Sequence, residues 1–255
     1  MKYAESDLIL QLENRIPAYY VSLNGQTKFY TLAGMLLESA ATHATLFGFG
    51  YLDMMRKNIY WVLSRFHAVM HAYPRMEEPV RIETWPKGPD RLFFMRDYRL
   101  FSGDDRLCCS ATTAWLVIDG HTRKPKKMDD RSMLNKFQVK DRHAINEVPG
   151  KLSGIPGPDR HALFTAHYSD LDINKHVSAV KYMEWIQDCY DEKYYEKKNV
   201  REFQINYHLE TRFGEEVDIR IKNHSDRDPF DRFEGIRTMD GNTAFQAKVS
   251  LGEFN

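Results

Sequence analysis

The sequence predicts an α+β protein that contains two copies of one unit, in each of which a long helix packs against antiparallel strands. The first observation behind this prediction is a similarity between residues 65–84 and 206–222, which share an aromatic–His pair, a Glu-Glu turn and a Val-x-Ile strand. The second is a similarity between residues 98–118 and 235–253, each with the pattern of two strands around a Gly-containing turn. Both pairs are separated by roughly 140 residues, as expected of a duplicated unit.

Each copy contains a helical segment before its strands. In residues 31–49 the apolar positions recur at helical spacing, and they are Leu32, Met35, Leu36, Ala40 and Ala44. In residues 178–197 the apolar stripe consists of Val180, Met183, Ile186, Cys189 and Tyr190. A long helix packed over a bent antiparallel sheet buries the apolar faces of both elements, so the strands are expected to wrap around these helices.

The stretch between the two copies is polar and contains several Pro and Gly residues, which is typical of a linker. We therefore expect an N-terminal unit at residues 1–130, a linker at residues 131–160 and a C-terminal unit at residues 161–255.

Composition excludes several classes of function. Lys plus Arg and Asp plus Glu each number 36, so the formal net charge is zero and neither nucleic acid nor an anionic membrane is favoured as a partner. Three cysteines, Cys108, Cys109 and Cys189, are too few and too poorly spaced for a disulfide scaffold or a zinc site. No apolar run approaches the ~20 residues of a membrane span, and the first twenty residues lack a signal pattern. A cytoplasmic location is expected.

Residues 168–188 contain the residues best suited to chemistry. Asp172, Asn174 and His176 alternate on a short stretch that is expected to be extended, so their side chains can share one face if the backbone there is strand-like. A helix is predicted to begin next, with Ser178 as its cap, and a helix N-terminus can stabilise a developing oxyanion. This set suits attack on a carbonyl group, although the same residue types also occur as turn and cap residues without a catalytic role.

Glu210 is the candidate acid of the second copy. The comparison of the two copies places it opposite Val69, within a strand that is otherwise patterned for burial. A buried carboxylate is costly unless it is paired or functional, and Glu210 is therefore a candidate general base. The alternative is a solvent-exposed glutamate on a strand.

Several motifs resemble those of the plant and bacterial acyl-ACP thioesterases. The string DLDINKHVSAVKYMEW resembles the family pattern D-L-D-x-N-x-H-V-N-N-x-x-Y-x-x-W, and the family's E-Y-R-R-E-C strand corresponds to NYHLET. In the first half, LLESAATHATLFGFG, MMRKNIYWVLSRFHAVMHAYPRMEEPVRIETW and WLVIDGHTRKPKKM resemble the family's first helix, its strand pair and the segment that follows. The resemblance covers most of residues 10–255. It departs from the family at Ser178-Ala179, where the family has Asn-Asn, and at Thr211, where the family has Cys.

The resemblance implies a tandem (double) hot dog fold, in which two helix-wrapped antiparallel sheets pair edge to edge. It also implies hydrolysis of a long-chain acyl thioester carried on acyl carrier protein. In that reaction Glu210 or Asp172 would take a proton from water, Asn174 would polarise the thioester carbonyl, and His176 would orient the carboxylate or protonate the leaving thiolate. Thr211 speaks against a Cys-His nucleophile, and a covalent acyl-carboxylate route stays open. No metal and no cofactor are expected.

By the same resemblance, the acyl chain is expected in an apolar tunnel of the first copy. The candidate substrate-binding residues there are Met35, Leu36, Phe47, Trp61 and Phe66, together with Phe49 and Met70. Because acyl carrier protein is acidic, its docking surface should be basic. The candidate docking residues are Arg56, Lys57, Arg123, Lys124, Lys126, Lys127, Lys175 and Lys181.

Three other functions are compatible with the sequence. An acyl-CoA thioesterase would use the same chemistry on a different carrier. A double hot dog hydratase or dehydratase is disfavoured because the chain lacks the Asn-Pro-x-His string of those enzymes. A non-catalytic acyl-binding hot dog protein would have lost its site, whereas the candidate residues are all present. The preferred acyl length and association into a homodimer are left open by the sequence.

Overall fold

The computed structural model describes residues 8–126 and 137–254, which form one continuous antiparallel sheet curled around two helices. The first copy consists of β1 (Leu10–Arg15), α1 (Phe29–Leu46), α2 (Tyr51–Arg56), β2 (Ile59–Met70), β3 (Pro79–Asp90), β4 (Phe93–Ser102) and β5 (Leu107–Asp119). The second copy consists of β6 (Arg160–Thr165), α3 (Ala179–Asp188), α4 (Glu192–Lys197), β7 (Lys198–Tyr207), β8 (Glu216–Lys222), β9 (Asp231–Arg237) and β10 (Thr243–Glu253).

The strand order confirms the predicted duplication. Across the ten strands the order is β1-β3-β4-β5-β2-β7-β10-β9-β8-β6, so each copy repeats the same arrangement outward from the centre. Strands β2 and β7 pair antiparallel at the seam, from Arg65 opposite Asn206 to Val69 opposite Glu202. The two sheets therefore join edge to edge, as expected of a tandem hot dog, and among the described strands β1 and β6 form the outer edges.

The two long helices differ from the predicted segments at their ends. Helix α1 begins at Phe29 and ends at Leu46, close to the predicted 31–49. The predicted 178–197 helix is interrupted: α3 ends at Asp188 and α4 starts anew after Asp191. The Asp191 carboxylate accepts the backbone N–H of Lys193, and this side-chain cap favours a new helix start over continuation of α3.

The start of α1 packs against the seam between the two copies. The ring centroid of Phe29, at the start of α1, lies 6.4 Å from that of Phe66 in β2 and 4.9 Å from that of Phe203 in β7. All three rings are almost completely buried. Burial of one such side chain stabilises the fold by about 1.5–3 kcal/mol, so this cluster ties both copies to one core.

Residues 137–159 of the predicted linker have no helix or strand and pack against strands of both copies. Trp85 Nε1 donates to the Arg142 carbonyl, and Lys87 Nζ donates to the Ile145 carbonyl. Further along, Gln204 Nε2 donates to the Gly150 carbonyl. The sheet thus holds the linker at several points between residues 142 and 150, while its predicted start at residue 131 lies outside the described residues.

Within the described ranges, none of the helices is long and apolar enough to cross a membrane.

Candidate active site

The loop before α3 is a tight turn that Asp172 stabilises. The Asp172 N–H donates to the His176 carbonyl at 2.8 Å, and the Lys175 N–H donates to the Asp172 carbonyl at 3.0 Å. Asp172 Oδ1 also accepts the N–H groups of Asn174 and His176, at 2.8 and 3.2 Å. The prediction of an extended stretch was therefore wrong, because an Asp side chain that bonds its own following backbone favours a turn, with Lys175 at φ +63°.

The same turn occurs before α1, a repeat that the sequence comparison missed. Both loops have a short 3₁₀ turn, a bridge that closes the loop (Val21 with Thr27, Leu171 with Val177) and a residue with positive φ, Gly25 in the first copy and Lys175 in the second. Asp172, Asn174 and His176 thus correspond to Ser22, Asn24 and Gln26. Only the Asn is shared and the spacing between these loops differs from that of the strands, so sequence similarity gave no usable signal.

The first-copy loop is a structural element. The Gln26 side chain is buried, and its Nε2 donates to the Phe254 carbonyl while its Oε1 accepts from Asn199 Nδ2. The amide of Gln26 therefore ties this loop to β7 and to the end of the described chain.

Glu210 lies in the connection after β7, which contradicts its predicted place in a strand. The N–H groups of His208 and Leu209 both donate to the Ala244 carbonyl, as those of His71 and Ala72 do to Cys108. Glu210 therefore corresponds to Tyr73, and the predicted match to Val69 was wrong. Because the chain leaves the sheet at Tyr207, the Glu210 side chain is 41% exposed.

The fold nevertheless brings the candidate polar groups together. Glu210 Oε2 lies 3.1 Å from His176 Nε2, and His176 is 16% exposed. Glu210 Oε1 is paired with the Arg123 guanidinium, and Asn174 Oδ1 accepts from the Tyr51 hydroxyl at 3.3 Å. Arg123 and Tyr51 belong to the first copy, and the sequence analysis did not assign either of them to the catalytic centre.

Helix α3 begins directly after this turn. Ser178 occupies its N-cap position, as predicted, but the hydroxyl makes no cap hydrogen bond. The Ser178 N–H donates to the Asp170 carbonyl, and Val177 N–H to the Thr211 carbonyl, which fixes the entry of the chain into the helix. The partial positive charge of the helix N-terminus therefore lies close to Asn174 and His176 in the chain.

An apolar cavity of about 220 Å³ extends through the first copy to Asn174. It lies between α1, α2 and strands β2 to β5, and its wall includes Leu37, Ala40, Ala41, Ala44, Phe49, Tyr60, Trp61, Phe94, Trp115 and Phe137. Three alanines on one face of α1 leave the space that larger side chains would fill. This small-residue face is the signal that sequence reading overlooked.

The predicted substrate-binding residues divide between this cavity and the core. Phe47, Phe49 and Trp61 line the cavity. Met35 lines a separate groove between β1, α1 and α3. Leu36, Phe66 and Met70 are buried in the core and do not line the cavity, because they point toward the packed interior of the sheet.

A buried arginine modifies the electrostatics of the cavity wall. Arg96 lines the cavity, and its Nη1 donates to His43 Nδ1 at 3.0 Å and to Thr84 Oγ1 at 3.1 Å. Burial, together with the charge of Arg96, lowers the pKa of His43 to about 3. His43 is therefore neutral near pH 7 and acts as the acceptor for Arg96.

This pKa predicts acid sensitivity of the fold. Below pH 6.5 the unfolded chain protonates His43 while the folded chain does not, so the free energy of unfolding falls as pH drops from 6.5 toward 3. His43→Gln keeps an acceptor for Arg96 and removes the titration. We expect urea denaturation to show that the loss between pH 7 and pH 5 shrinks by on the order of 1 kcal/mol in this variant.

The hydrogen bond with His67 lowers the pKa of Glu202 to about 2. Its effect on the free energy of unfolding therefore falls mainly below pH 4.5, outside the range between pH 7 and pH 5. Substitution of the exposed His121 by Gln is the matched control. An equal loss of stability in wild type and His43→Gln would contradict the assignment.

The Cys189 thiol and the side chain of Thr211, the two positions considered for a Cys-type nucleophile, are buried. Burial raises the pKa of the Cys189 thiol to about 12, and Cys189 lies in the core as predicted. Thr211, at the position of the family's Cys, has no exposed surface. Across residues 8–126 and 137–254, no group of three His, Cys, Asp or Glu is arranged to hold a metal ion.

Comparison with known proteins identifies the family. The model of the acyl-ACP thioesterase N-terminal domain matches residues 9–134, and that of the C-terminal domain matches residues 158–252. The chain belongs to the acyl-ACP thioesterase family. This result confirms both the resemblance noted in the sequence and the tandem hot dog fold that it implies.

Two plant members of the acyl-ACP thioesterase family illustrate the similarity. The chain is 25% identical over 236 residues to the chloroplastic oleoyl-acyl carrier protein thioesterase of Coriandrum sativum, covering 84% of this chain and 62% of that protein. It is 25% identical over 221 residues to the dodecanoyl-[acyl-carrier-protein] hydrolase of Cinnamomum camphora, covering 80% and 56%. The chain thus spans little more than half the length of these relatives.

Solved structures of acyl-ACP thioesterases superpose over nearly the whole chain. An acyl-ACP thioesterase from Bacteroides thetaiotaomicron VPI-5482 gives a TM-score of 0.88 at 27% identity, covering 98% of this chain and 100% of that one. The 12:0-ACP thioesterase from Umbellularia californica gives 0.86 at 19% identity, covering 96% and 98%, and shows the shared fold.

Proposed function

We propose that this chain hydrolyses the thioester between a fatty acyl chain and acyl carrier protein. The observation that carries the proposal is the apolar cavity that ends at Asn174, next to the paired side chains of Glu210 and His176. The cavity would hold the acyl chain and place its carbonyl at the turn before α3.

In the proposed reaction Glu210 accepts a proton from water, whose oxygen attacks the thioester carbonyl carbon. The oxygen of the tetrahedral intermediate is stabilised by the Asn174 amide and the N-terminus of α3. The intermediate collapses with cleavage of the C–S bond, and the proton that Glu210 took from water passes to the leaving thiolate, which restores the Glu210 carboxylate. The products are a free fatty acid and the carrier thiol.

Hydrogen bonds support these roles. The Tyr51 hydroxyl donates to Asn174 Oδ1, which orients the amide so that its Nδ2 hydrogens can donate to the substrate. The close contact of His176 Nε2 with Glu210 Oε2, at 3.1 Å, restricts the orientation of the carboxylate. Asp172 Oδ1 already accepts two backbone N–H groups, and this favours Glu210 over Asp172 as the base.

The ion pairs narrow the candidate docking surface for an acidic carrier. Arg123 pairs with Glu210, Lys126 with Asp119, Lys181 with Glu184, and Arg56 with Asp53. Lys127 lies outside the described residues. Lys57, Lys124 and Lys175 are exposed and form no ion pair with another described residue, so we infer that they receive the carrier.

Thiol release tests this function directly. We expect acyl-ACP to be hydrolysed with a higher kcat/KM than acyl-CoA of the same length, and the difference to shrink as ionic strength rises. Lys124→Glu should raise the KM for acyl-ACP about 5-fold at low salt with little change in kcat, because charge complementarity acts mainly on association. Lys151→Glu, in the linker, is the charge-matched control.

The outcomes separate the alternatives. Equal rates on both carriers, without salt dependence, would indicate an acyl-CoA thioesterase. Binding of acyl chains without thiol release over a panel of graded lengths would indicate an acyl-binding protein. The cytoplasmic location stays a prediction, and association into a homodimer stays open.

A further inference from the structure

We propose that Arg123 and Tyr51 of the first copy are positioning residues that hold Glu210 and Asn174 of the second copy in their reactive orientations. The inference rests on the proposed function and concerns the same site. It makes the active centre a joint product of both copies.

Glu210 is held at both carboxylate oxygens and at its backbone. Oε2 lies 3.1 Å from His176 Nε2, Oε1 is paired with Arg123, and the Glu210 carbonyl accepts from Arg237 Nη1 at 2.8 Å. Side chains that are 41% exposed normally sample several rotamers. Contacts at both oxygens restrict rotation of the Glu210 carboxylate and so fix the direction of its remaining lone pairs.

Hydrogen bonds to Asp119 fix the backbone of the turn that carries Arg123. Asp119 Oδ1 accepts the N–H groups of His121 and Thr122 at 3.1 and 2.9 Å, and the Arg123 N–H donates to the Asp119 carbonyl at 2.9 Å. These N–H groups hold the pKa of Asp119 below its usual range. Arg123 adopts φ +56°, a conformation that a non-glycine residue keeps only where its surroundings impose it.

Tyr51 reaches Asn174 because α2 begins abruptly. A Cβ at Gly50 would lie 2.4 Å from Thr45 Oγ1, so only glycine allows the chain to pass this close to the end of α1. Tyr51 then opens α2 at the cavity wall, and its hydroxyl donates to Asn174 Oδ1. Asn174 Oδ1 therefore accepts from Tyr51, and the amide nitrogen Nδ2 lies on the side away from Tyr51.

The first copy lacks a catalytic pair of its own. At the positions that correspond to Glu210 and His176 it has Tyr73 and Gln26, and both are buried. The Tyr73 hydroxyl donates to the Val200 carbonyl. The first copy therefore contributes the cavity and the two positioning groups, and the second contributes the groups that touch the substrate.

Steady-state kinetics on acyl-ACP provide the test. Arg123→Gln should lower kcat about 10–100-fold with KM within about 2-fold, since misorientation of a catalytic group costs rate more than binding. Arg123→Lys should recover part of the loss, and Tyr51→Phe should lower kcat about 10-fold. Arg227→Gln and Tyr19→Phe, at exposed positions elsewhere, are the matched controls.

A double-mutant cycle identifies the route of the effect. If Arg123 acts through Glu210, Arg123→Gln adds no further loss of rate to Glu210→Gln. If Arg123 instead binds the carrier, its loss raises KM, weakens acyl-ACP binding in the Glu210→Gln background and changes the salt dependence, which would overturn the proposal. A fall in Tm that accounts for the lost activity, with no recovery in Arg123→Lys, would also overturn it.

The two proposals fail separately. A wild-type protein without thiol release on any acyl-ACP contradicts the proposed function. An active wild type with unchanged kcat in both Arg123→Gln and Tyr51→Phe contradicts only the positioning roles.

Discussion

Glu210→Gln is expected to lower kcat for acyl-ACP hydrolysis about 10³-fold, within the range that loss of a general base usually causes. The glutamine amide has nearly the same shape as the Glu210 carboxylate and can still contact His176 and Arg123. Substrate binding and folding should therefore change little. The measurement is thiol release under saturating acyl-ACP, with the thermal midpoint of the variant as a check on its fold.

Asp172→Asn is the companion to this experiment. Asp172 accepts two backbone N–H groups in its turn, and its amide should disturb the loop with a smaller effect on rate. A near wild-type kcat in Glu210→Gln, together with a large loss in Asp172→Asn, would transfer the role of base to Asp172. An acyl group found covalently attached to Glu210 after rapid quenching would indicate the acyl-carboxylate route.

Asn174→Ala is expected to lower kcat about 10²–10³-fold, as does removal of one oxyanion donor in other acyl-transfer enzymes. The loss should fall on kcat more than on KM, because the amide interacts most strongly with the charge that develops in the transition state. The cavity that binds the acyl chain is otherwise unchanged.

The duplication supplies a matched control for this prediction. Asn24 occupies the same position in the first-copy turn, where its Oδ1 accepts the Gln26 N–H at 3.0 Å. Asn24→Ala repeats the chemical change outside the catalytic centre and should leave kcat near that of the wild type. Equal losses in both variants would mean that the turn, and not the Asn174 amide, is what the reaction requires.

Some contacts of the site could be anticipated because they are local. The Asp-x-Asn-x-His string and the helix start at Ala179 lie within a few residues of each other, and the sequence pattern placed that start correctly. The turn itself was mistaken for an extended stretch because alternation of polar residues suits a strand, whereas the capping bonds of the Asp172 carboxylate depend on backbone geometry.

The contacts between the copies could not be anticipated. Arg123 and Glu210 are 87 residues apart, and Tyr51 and Asn174 are 123 apart, so no local pattern links them. Arg123 was interpreted as part of a basic docking run, a sound expectation for an isolated charged stretch. Its pairing with Glu210 follows from the way β2 and β7 join the two halves.

The sequence by itself determined the duplicated helix-and-sheet architecture, the family and the candidate groups Asn174, His176 and Glu210, since these follow from periodicity and local motifs. Only the tertiary structure decided that the cavity uses the alanine face of α1, that Glu210 lies beyond the end of its strand, and that Tyr51 and Arg123 reach across from the first copy. The physical reason is that burial, cavity shape and long-range ion pairs depend on how distant segments pack, and packing is not encoded in any short stretch of the chain.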